Sequence, residues 1–429
     1  MSRVAVIGTG YVGLTTGACL AHLGHHVVCA DIDPAKIEQL RSGHIPIFER
    51  GLEELVVEGL ASGRLQFIVG AAEAVADAEF AFLCVQTPQG ADGSADLTYI
   101  EQASAEIGPV LPTASVVITK STVPVGSARV VERVLARSDV SVVSNPEFLR
   151  EGQAVHDCLH PDRIVIGSDD QAAAVRVAGL YEKLNAPLMV TDPATAETIK
   201  YACNAFLATK VSFINAMANL CQAVGADVRD VVLGMGYDKR IGFEFLKPGP
   251  GWGGSCFPKD SRALVRIAEE AGYNFDLLKG VIAVNDQQFE LLATRIERLA
   301  GGDLSGAGIA VWGLTFKAGT DDLRDSPAIA VVRRLLAKGA TVRAYDPTVA
   351  SSLPAAYDHL AIEVCGDPYA ACAGAAVLVV LTEWDEFRWL DFEKVGGSMA
   401  SPAILDARNL LDPVTLRRRG FTYEGMGRR

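Results

Sequence analysis

The segment GTGYVG near residue 10 limits the possible folds more than any other feature of the sequence. It follows the short apolar run RVAVI and precedes an amphipathic stretch, LTTGACLAHLG, which leads to a second apolar run, HHVVCAD, that ends at Asp31. A strand, a glycine-rich turn, a helix and a second strand in this order form a βαβ unit with parallel strands. This part of the chain is therefore expected to form an α/β domain.

The glycine pattern itself indicates a dinucleotide site. GxGxxG alone is a weak signal that also fits a structural turn, but its position between a strand and a helix makes it specific. Gly8, Gly10 and Gly13 would let the backbone approach a pyrophosphate at the amino terminus of the helix. Asp31, 18 positions after Gly13 (31 − 13), can accept hydrogen bonds from both ribose hydroxyls. Because a carboxylate there repels a 2′-phosphate, the sequence predicts NAD rather than NADP.

A long helix is predicted after the first domain. Apolar runs alternate with helical stretches up to about residue 190, which predicts a parallel sheet covered on both faces. From Pro193 to about Val224 neither glycine nor proline follows the first residue, and apolar positions repeat at helical spacing. Asp192 and Pro193 are typical of a helix start, so we predict a rod of about 45 Å that joins domains or subunits.

A second nucleotide fold is predicted in the last third of the chain. GIAVWGLTF repeats the strand-and-glycine signature, and Gly339 and Asp346 repeat the spacing of Gly24 and Asp31. The loop GLTFKAGTD lacks GxGxxG and carries Lys317, which suits a phosphate outside a dinucleotide. We therefore predict an α/β protein with two Rossmann-like doubly wound domains joined by a long central helix. The predicted domains are residues 1–190, a central helical segment 191–300 and residues 301–429.

Composition excludes several classes of protein. The net charge of −13 and the pI of about 5.1 argue against a nucleic-acid partner. No apolar run is long enough to span a bilayer, and MSRVAVIGTG lacks the apolar core of an export signal. Nine scattered cysteines show no metal-binding spacing and suggest a reducing compartment. We expect a cytoplasmic protein with no metal, no membrane and no nucleic-acid partner.

The loop GPGWGGSCFPKD contains the strongest candidate nucleophile. Glycines 249, 251, 253 and 254 suggest a flexible loop that closes on a ligand, and the helix CFPKDSRALVRIAEEAG follows. Cys256 would lie at the amino terminus of that helix, where partial positive charge favours a thiolate. A thiolate can add to an aldehyde, and the adduct can lose a second hydride to become a thioester. The alternative is a small residue tolerated in a tight loop.

Other polar residues carry weaker signals. Lys200 and Asn204 lie four apart on the predicted helix and share a face, although such pairs are more often solvated surface. Glu147 and Glu151 in NPEFLREG are either paired carboxylates or an exposed helix start. Thr122 in STVPVG follows a strand, where such sheets bind ligands.

Six motifs together resemble one family. GTGYVG, STVPVG, NPEFLREG, KYACNAF, GWGGSCFPKD and FKAGTDDLR occur in order over nearly the whole chain and resemble the UDP-glucose/GDP-mannose dehydrogenase family. YDKRIG, at residues 237–242, resembles the UDP-glucose branch. The resemblance implies a four-electron, NAD-dependent oxidation of UDP-glucose to UDP-glucuronate. Apolar residues on more than one face of the long helix predict a homodimer or higher homo-oligomer. Trp252 replaces the Tyr or Phe expected in the glycine loop.

The resemblance also implies roles for individual residues. Cys256 would be the nucleophile, Lys200, Asn204 and Asp260 would stabilise oxyanions and handle protons, and Thr122 and Glu151 would hold water. The implied cofactor contacts are Gly8, Gly10, Tyr11, Val12, Gly13, Asp31, Lys36, Thr87, Thr122, Glu151, Lys259 and Arg324. The implied substrate contacts are Glu147, Phe148, Leu149, Arg150, Lys200, Asn204, Phe245, Lys247, Gly253, Lys317, Arg408 and, from a neighbouring subunit, Arg240.

Three alternatives stay open from the sequence. The same chemistry could act on GDP-mannose or a UDP-N-acetylhexosamine. A two-electron hydroxyacid dehydrogenase could share the nucleotide fold and the helix with Lys200 and Asn204, but it would not need Cys256. A non-catalytic regulator that binds NAD or a sugar nucleotide would be expected to have lost Lys200, Cys256 or Asp260, and all three are present.

Overall fold

The computed structural model describes residues 1–90, 93–349 and 351–428 and consists of two compact units. The first unit contains Met1–Cys203 and Arg262–Asn274. The second unit contains Asn204–Ser261 and Phe275–Arg429. The three-domain division with boundaries at residues 190 and 300 stays a prediction.

The first unit is built on an eight-stranded sheet with the order β3-β2-β1-β4-β5-β6-β7-β8. Its strands are β1 (Arg3–Ile7), β2 (His26–Asp31), β3 (Leu65–Val69), β4 (Phe80–Leu83), β5 (Val116–Thr119), β6 (Ser141–Ser144), β7 (Ile164–Gly167) and β8 (Leu188–Thr191). The first six strands are parallel, but β7 pairs antiparallel with β6 through Ser144 and Gly167, and β8 follows the direction of β7. The expectation of a parallel sheet up to residue 190 is therefore wrong for its last two strands. Reversed strands at the edge of a parallel sheet are common in α/β proteins.

Helices cover both faces of this sheet. They are α1 (Tyr11–His22), α2 (Pro34–Arg41), α3 (Leu52–Ala61), α4 (Ala71–Val75), α5 (Thr98–Ile107), α6 (Ser127–Leu135), α7 (Ala154–Leu159) and α8 (Gln171–Gly179). Successive residues of β1 point to opposite faces, so Val4 and Val6 join one apolar cluster while Ala5 and Ile7 join the other. Burial on both faces explains why these strands are continuous apolar runs.

A 32-residue helix, α9 (Pro193–Val224), continues from the first unit into the second. Its observed ends coincide with the predicted ones. Asp192 precedes the helix, and its carboxylate accepts a hydrogen bond from the backbone N–H of Thr195 at 2.9 Å. The predicted long helix is thus confirmed, including its start. None of the helices in the described ranges is long and apolar enough to cross a membrane.

The second unit contains a six-stranded parallel sheet with the order β11-β10-β9-β12-β13-β14. Its strands are β9 (Gly308–Trp312), β10 (Thr341–Tyr345), β11 (Ile362–Val364), β12 (Val377–Val380), β13 (Ala403–Asp406) and β14 (Thr422–Gly425). Its further helices are α10 (Val228–Gly236), α11 (Phe257–Glu270, which ends in the first unit), α12 (Asp276–Leu299), α13 (Pro327–Ala337), α14 (Pro368–Cys372), α15 (Phe392–Ser398) and α16 (Pro413–Arg418), with 3-10 turns at Ala355–Tyr357 and Asp385–Trp389. The strand order is that of a Rossmann fold, so the second predicted nucleotide fold is confirmed.

The two sheets repeat one local arrangement. Asp31 at the end of β2 accepts hydrogen bonds from the backbone and hydroxyl of Thr9, and Asp346 after β10 accepts the same two bonds from Thr315. Asp346 is 1% exposed and also accepts a hydrogen bond from the indole of Trp384 at 3.2 Å. The oxygens of Asp346 are therefore engaged inside the domain.

Candidate active site

The turn after β1 has little room for side chains at two of its glycines. Gly8 has φ +96°, and a Cβ there would lie 2.7 Å from the carbonyl oxygen of Cys84. A Cβ on Gly13 would lie 1.9 Å from the carbonyl oxygen of Gly8. At Gly10, by contrast, a Cβ would meet nothing within 4 Å among the described residues. The turn therefore fits a pyrophosphate that approaches the backbone at the start of α1.

Asp31 lies beside this turn with a charged partner. Its Oδ2 accepts hydrogen bonds from the backbone N–H of Thr9 at 3.0 Å, from the Thr9 hydroxyl at 2.6 Å and from Lys36 Nζ at 3.0 Å. Burial opposes ionisation of Asp31, but these bonds outweigh burial and lower its pKa to about 2. A carboxylate that is ionised at neutral pH fits recognition of ribose hydroxyls, so the turn and Asp31 together fit NAD.

Other predicted cofactor residues surround the same sheet edge. Tyr11 and Val12 form the first turn of α1, and the Tyr11 hydroxyl donates a hydrogen bond to the backbone oxygen of Phe48. Thr87 Oγ1 donates to the backbone oxygen of Thr122 at 2.8 Å. The structure thereby joins two predicted residues from the loops that follow β4 and β5.

Lys200 and Glu147 form a buried ion pair in the first unit. Lys200 Nζ lies 2.7 Å from Glu147 Oε1, and the two side chains are 5% and 4% exposed. Burial alone would raise the pKa of Glu147, but the Lys200 ammonium and the backbone N–H of Leu149 lower it below its usual value. Lys200 also lines a small pocket with residues from the loops after β5 and β6. The lining residues are Thr119, Ser121, Thr122, Val123, Ser144, Pro146, Glu197 and Lys200.

The rest of NPEFLREG contacts neighbouring charges. Arg163 and Lys200 both approach the Phe148 ring, with the guanidinium carbon at 3.7 Å and Nζ at 5.6 Å from its centroid. Arg150 pairs with Asp157 at 2.6 Å. The motif therefore turns Glu147 and Phe148 toward Lys200, whereas the Arg150 side chain is held by Asp157.

In the second unit, Cys256 lies directly before α11, as predicted. The backbone N–H of Asp260 donates to the Cys256 carbonyl at 2.9 Å and closes the first helical turn. The Asp260 side chain is 1% exposed, and its oxygens accept hydrogen bonds from Asn204 at 2.6 Å and Lys259 at 2.6 Å. The structure thus brings Asn204, Lys259 and Asp260 together in the turn that begins at Cys256.

The glycine loop before Cys256 is buried, and neighbouring side chains hydrogen-bond to its backbone, while its flexibility stays a prediction. The side chain of Asn215 accepts from Gly249 N–H at 2.8 Å, and the Asn285 side chain bonds to both backbone polar groups of Trp252. The Trp252 indole donates to Ser212 Oγ at 2.8 Å. Close packing explains the glycines, because a Cβ on Gly253 would lie 2.0 Å from the carbonyl oxygen of Asp325.

Phe316 contacts the glycine loop and two of the predicted substrate residues. A Cβ on Gly254 would lie 2.9 Å from its ring, and Lys317 Nζ is 5.4 Å from the ring centroid. The Arg408 guanidinium donates to the Phe316 carbonyl at 2.9 Å. The glycine loop, Lys317 and Arg408 therefore meet at one place in the second unit.

Other predicted contacts lie elsewhere in the second unit. Arg240 is 88% exposed and pairs with Asp238 at 2.6 Å, and Arg324 pairs with Asp322 at 2.8 Å. Lys247 is exposed on the segment before the glycine loop. Phe245 has φ +62°, and its ring centroid lies 6.3 Å from that of Phe257.

Comparisons with known proteins identify the family to which the chain belongs. Three sequence models of the UDP-glucose/GDP-mannose dehydrogenase family match: the NAD binding domain at residues 2–185, the central domain at 194–287 and the UDP binding domain at 310–413. The chain belongs to the UDP-glucose/GDP-mannose dehydrogenase family. The predicted family, the α/β fold, NAD as cofactor and the class of NAD-dependent dehydrogenase are thereby confirmed.

Relatives of this family resemble the chain over its full length. A UDP-glucose 6-dehydrogenase of Rhizobium meliloti is 48% identical over 99% of this chain and 99% of that protein. The solved structure of a UDP-glucose dehydrogenase from Pyrobaculum islandicum has a TM-score of 0.89 and 36% identity over 100% of this chain and 98% of that one. A UDP-D-ManNAc dehydrogenase from Pyrococcus horikoshii has a TM-score of 0.87 and 30% identity, with 99% of each chain covered.

Sequence reasoning did not single out one polar cluster beside the family's NPEFLREG motif. Lys120 Nζ donates to Asn145 Oδ1 at 3.1 Å, and the hydroxyl of Tyr181 donates to the same oxygen at 2.5 Å. Burial lowers the pKa of Lys120. These hydrogen bonds hold Asn145, which lies two positions before Glu147. The sequence does show Lys120 directly after the apolar strand VVIT. Its hydrogen-bond partner Asn145 lies 25 residues away, so no local pattern predicts the cluster.

Proposed function

We propose that the protein oxidises UDP-glucose to UDP-glucuronate with two molecules of NAD⁺. The observation that carries this proposal is the position of Cys256 at the first turn of α11, next to the hydrogen-bonded pair of Asn204 and Asp260. A two-electron dehydrogenase has no need of a thiol there, whereas a four-electron oxidation can use the thiol to hold the aldehyde for the second hydride transfer. The names of the relatives support the same substrate.

The proposed reaction balances as two oxidations and one hydrolysis. The primary alcohol of UDP-glucose and one water yield a carboxylate, two NADH and three protons. Bound NAD⁺ supplies the hydride acceptor for each oxidation. Cys256 adds to the aldehyde as a thiohemiacetal, which loses the second hydride to become a thioester that water cleaves.

The remaining predicted residues have roles that their chemistry suits. Lys200 would stabilise the alkoxide and oxyanion as a cation, and Asn204 would donate a hydrogen bond. Asp260 would help to resolve the thioester. Thr122 and Glu151 would hold and activate water. Lys317 and Arg408 would contact the UDP group.

The test is to count NADH per sugar. The purified protein is incubated with excess NAD⁺ and limiting UDP-glucose, GDP-mannose, UDP-N-acetylglucosamine or UDP-N-acetylmannosamine, and absorbance at 340 nm is followed to completion. We expect two NADH per UDP-glucose and an acidic product. One NADH per sugar with free aldehyde would contradict the proposal, and faster turnover of an N-acetylated sugar would reassign the substrate.

We also propose a homodimer, which α9 and its exposed apolar residues support. Phe206, Phe213 and Leu220 recur every seven residues and are 65%, 50% and 50% exposed. Side chains seven apart lie on one helix face, so they form an apolar stripe that a second copy could cover. A cytoplasmic location stays our proposal from the scattered cysteines, none of which forms a disulfide.

A further inference from the structure

Glu197, in the second turn of α9, fastens the loop that carries Thr122. Its side chain is buried, with 3% of the residue exposed. Oε2 accepts a hydrogen bond from the backbone N–H of Gly126 at 2.6 Å, and Oε1 accepts one from Ala128 N–H at 3.0 Å. The Ser144 hydroxyl donates to Oε1 at 3.1 Å. One carboxylate therefore ties the start of α6 and the end of β6 to the helix that carries Lys200.

Glu49 repeats this geometry beside Glu151. It is 8% exposed, its Oε2 accepts from the backbone N–H of Gly152 at 2.6 Å, and its Oε1 accepts from Ala154 N–H at 2.9 Å. Gly152 directly follows Glu151, and Ala154 is the first residue of α7. In both cases one carboxylate accepts hydrogen bonds from two backbone N–H groups that are two residues apart. The glutamate lies at least 69 residues away from these N–H groups in the sequence.

We propose that Glu49 and Glu197 are positioning residues that fix the backbone next to Glu151 and Thr122 for the reaction. This inference rests on the proposed function for the roles of Glu151 and Thr122. A carboxylate offers two acceptor oxygens to the two amides. Its charge also favours the amino terminus of α6. A glutamine has one acceptor oxygen, so its NH₂ group would face one of the amides and release that side of the loop.

The test compares Glu49→Gln and Glu197→Gln with a matched control, Glu106→Gln. Glu106, in α5, also accepts two backbone amides through Oε1, those of Ala71 and Ala72 at 2.8 and 3.1 Å, but these amides open α4 and Glu106 is exposed. We expect kcat to fall by ~10-fold or more in each of the first two variants, with KM for UDP-glucose within about twofold, and no change in the control. A purely structural role would lower the melting temperature and leave kcat per folded enzyme unchanged, which would overturn the proposal.

A double-mutant cycle tests whether Glu197 acts through the Thr122 loop. The effects of Glu197→Gln and Thr122→Ala on kcat should be less than multiplicative, because the second change removes the group that the first misplaces. Independent, multiplicative effects would overturn the proposal. If Glu197→Gln does not fold, Glu197→Asp keeps the charge but is one methylene shorter. Full activity in Glu197→Asp would show that reach is unimportant and would also overturn it.

Amide hydrogen exchange separates this inference from the proposed function. If the unmodified protein makes no NADH from any sugar nucleotide, the function is wrong, but the clamps can still be measured. We expect the amides of Gly126, Ala128, Gly152 and Ala154 to be protected, and to exchange at least ~10-fold faster when the glutamate that binds them becomes glutamine. Equal exchange in variant and unmodified protein would show that neither carboxylate fixes its loop.

Discussion

At the scale of single residues, Asp31 and Lys36 form a charged pair at the sheet edge where we predict that NAD binds. Their ion pair measures 3.0 Å, and the side chains are 14% and 25% exposed. The carboxylate repels a 2′-phosphate, while the ammonium beside it would attract one if the carboxylate were absent. The preference for NAD therefore depends on which of the two charges faces the ribose.

We predict that Asp31→Ala shifts cofactor preference toward NADP⁺. The ratio of kcat/KM for NADP⁺ to that for NAD⁺ should rise by at least ~10-fold, because the change removes a repulsive charge and releases Lys36. Steady-state kinetics with both cofactors measures this ratio. Asp31→Ala/Lys36→Ala is the control, in which the gain for NADP⁺ should largely disappear. An unchanged ratio in the single variant would contradict the role given to Asp31.

In the proposed reaction, the second oxidation depends on Cys256. We predict that Cys256→Ala yields no net UDP-glucuronate, since an aldehyde that is not captured hydrates and leaves. In Cys256→Ser the hydroxyl is a weaker nucleophile and leaving group, so a sugar ester should accumulate and appear by intact-mass spectrometry after incubation with NAD⁺ and UDP-glucose. Full activity of Cys256→Ala would return this thiol to a packing role.

At the scale of elements, the glycine loop shows how packing limits sequence. Its backbone is held by the side chains of Asn215, Asn285 and Gln288, and Gly253 lies against the carbonyl oxygen of Asp325. Gly253 and Gly254 are therefore required for close contact with Asp325 and Phe316.

We predict that Gly253→Ala lowers the free energy of unfolding by about 3 kcal/mol, because its Cβ would overlap backbone that cannot move aside. Gly234→Ala is the matched control, since a Cβ at this position within α10 meets no atom of the described residues within 4 Å. The control should stabilise the protein by about 0.5 to 1 kcal/mol, as expected for alanine in a helix. Urea unfolding measures both values, and equal stabilities would contradict the packing explanation.

Local patterns in the sequence predicted elements well and contacts poorly. The ends of α9 followed from Asp192, Pro193 and an uninterrupted apolar repeat, because helix signals lie within a few residues of one another. The antiparallel direction of β7 could not be predicted, because an apolar run such as RIVIG does not show in which direction its strand crosses the sheet. The hydrogen bond from Gly152 to Glu49 joins residues 103 apart, and no local pattern marks it.

At the scale of the whole molecule, the proposed dimer rests on the stripe of Phe206, Phe213 and Leu220. We predict that Phe213→Asp converts the dimer to a monomer at micromolar concentration, because a charge would be buried where an aromatic ring was covered. Light scattering after gel filtration measures the mass. Trp389→Asp is the control, since Trp389 is 81% exposed in a 3-10 turn far along the chain and should not change the mass. A monomeric unmodified protein would refute the proposed assembly.

The last prediction tests whether Arg240 serves the active site of a neighbouring copy. Its side chain is 88% exposed in the single chain, which leaves it accessible to the predicted neighbouring copy. Arg240→Ala and Cys256→Ala should each be nearly inactive. When the two are unfolded, mixed in equal amounts and refolded together, half of the dimers combine one subunit of each kind. Each mixed dimer has one site with an intact Cys256 and an Arg240 donated by its partner, so about one quarter of the unmodified activity should return. No recovery, despite mixed dimers seen by native mass spectrometry, would place Arg240 in the site of its own chain.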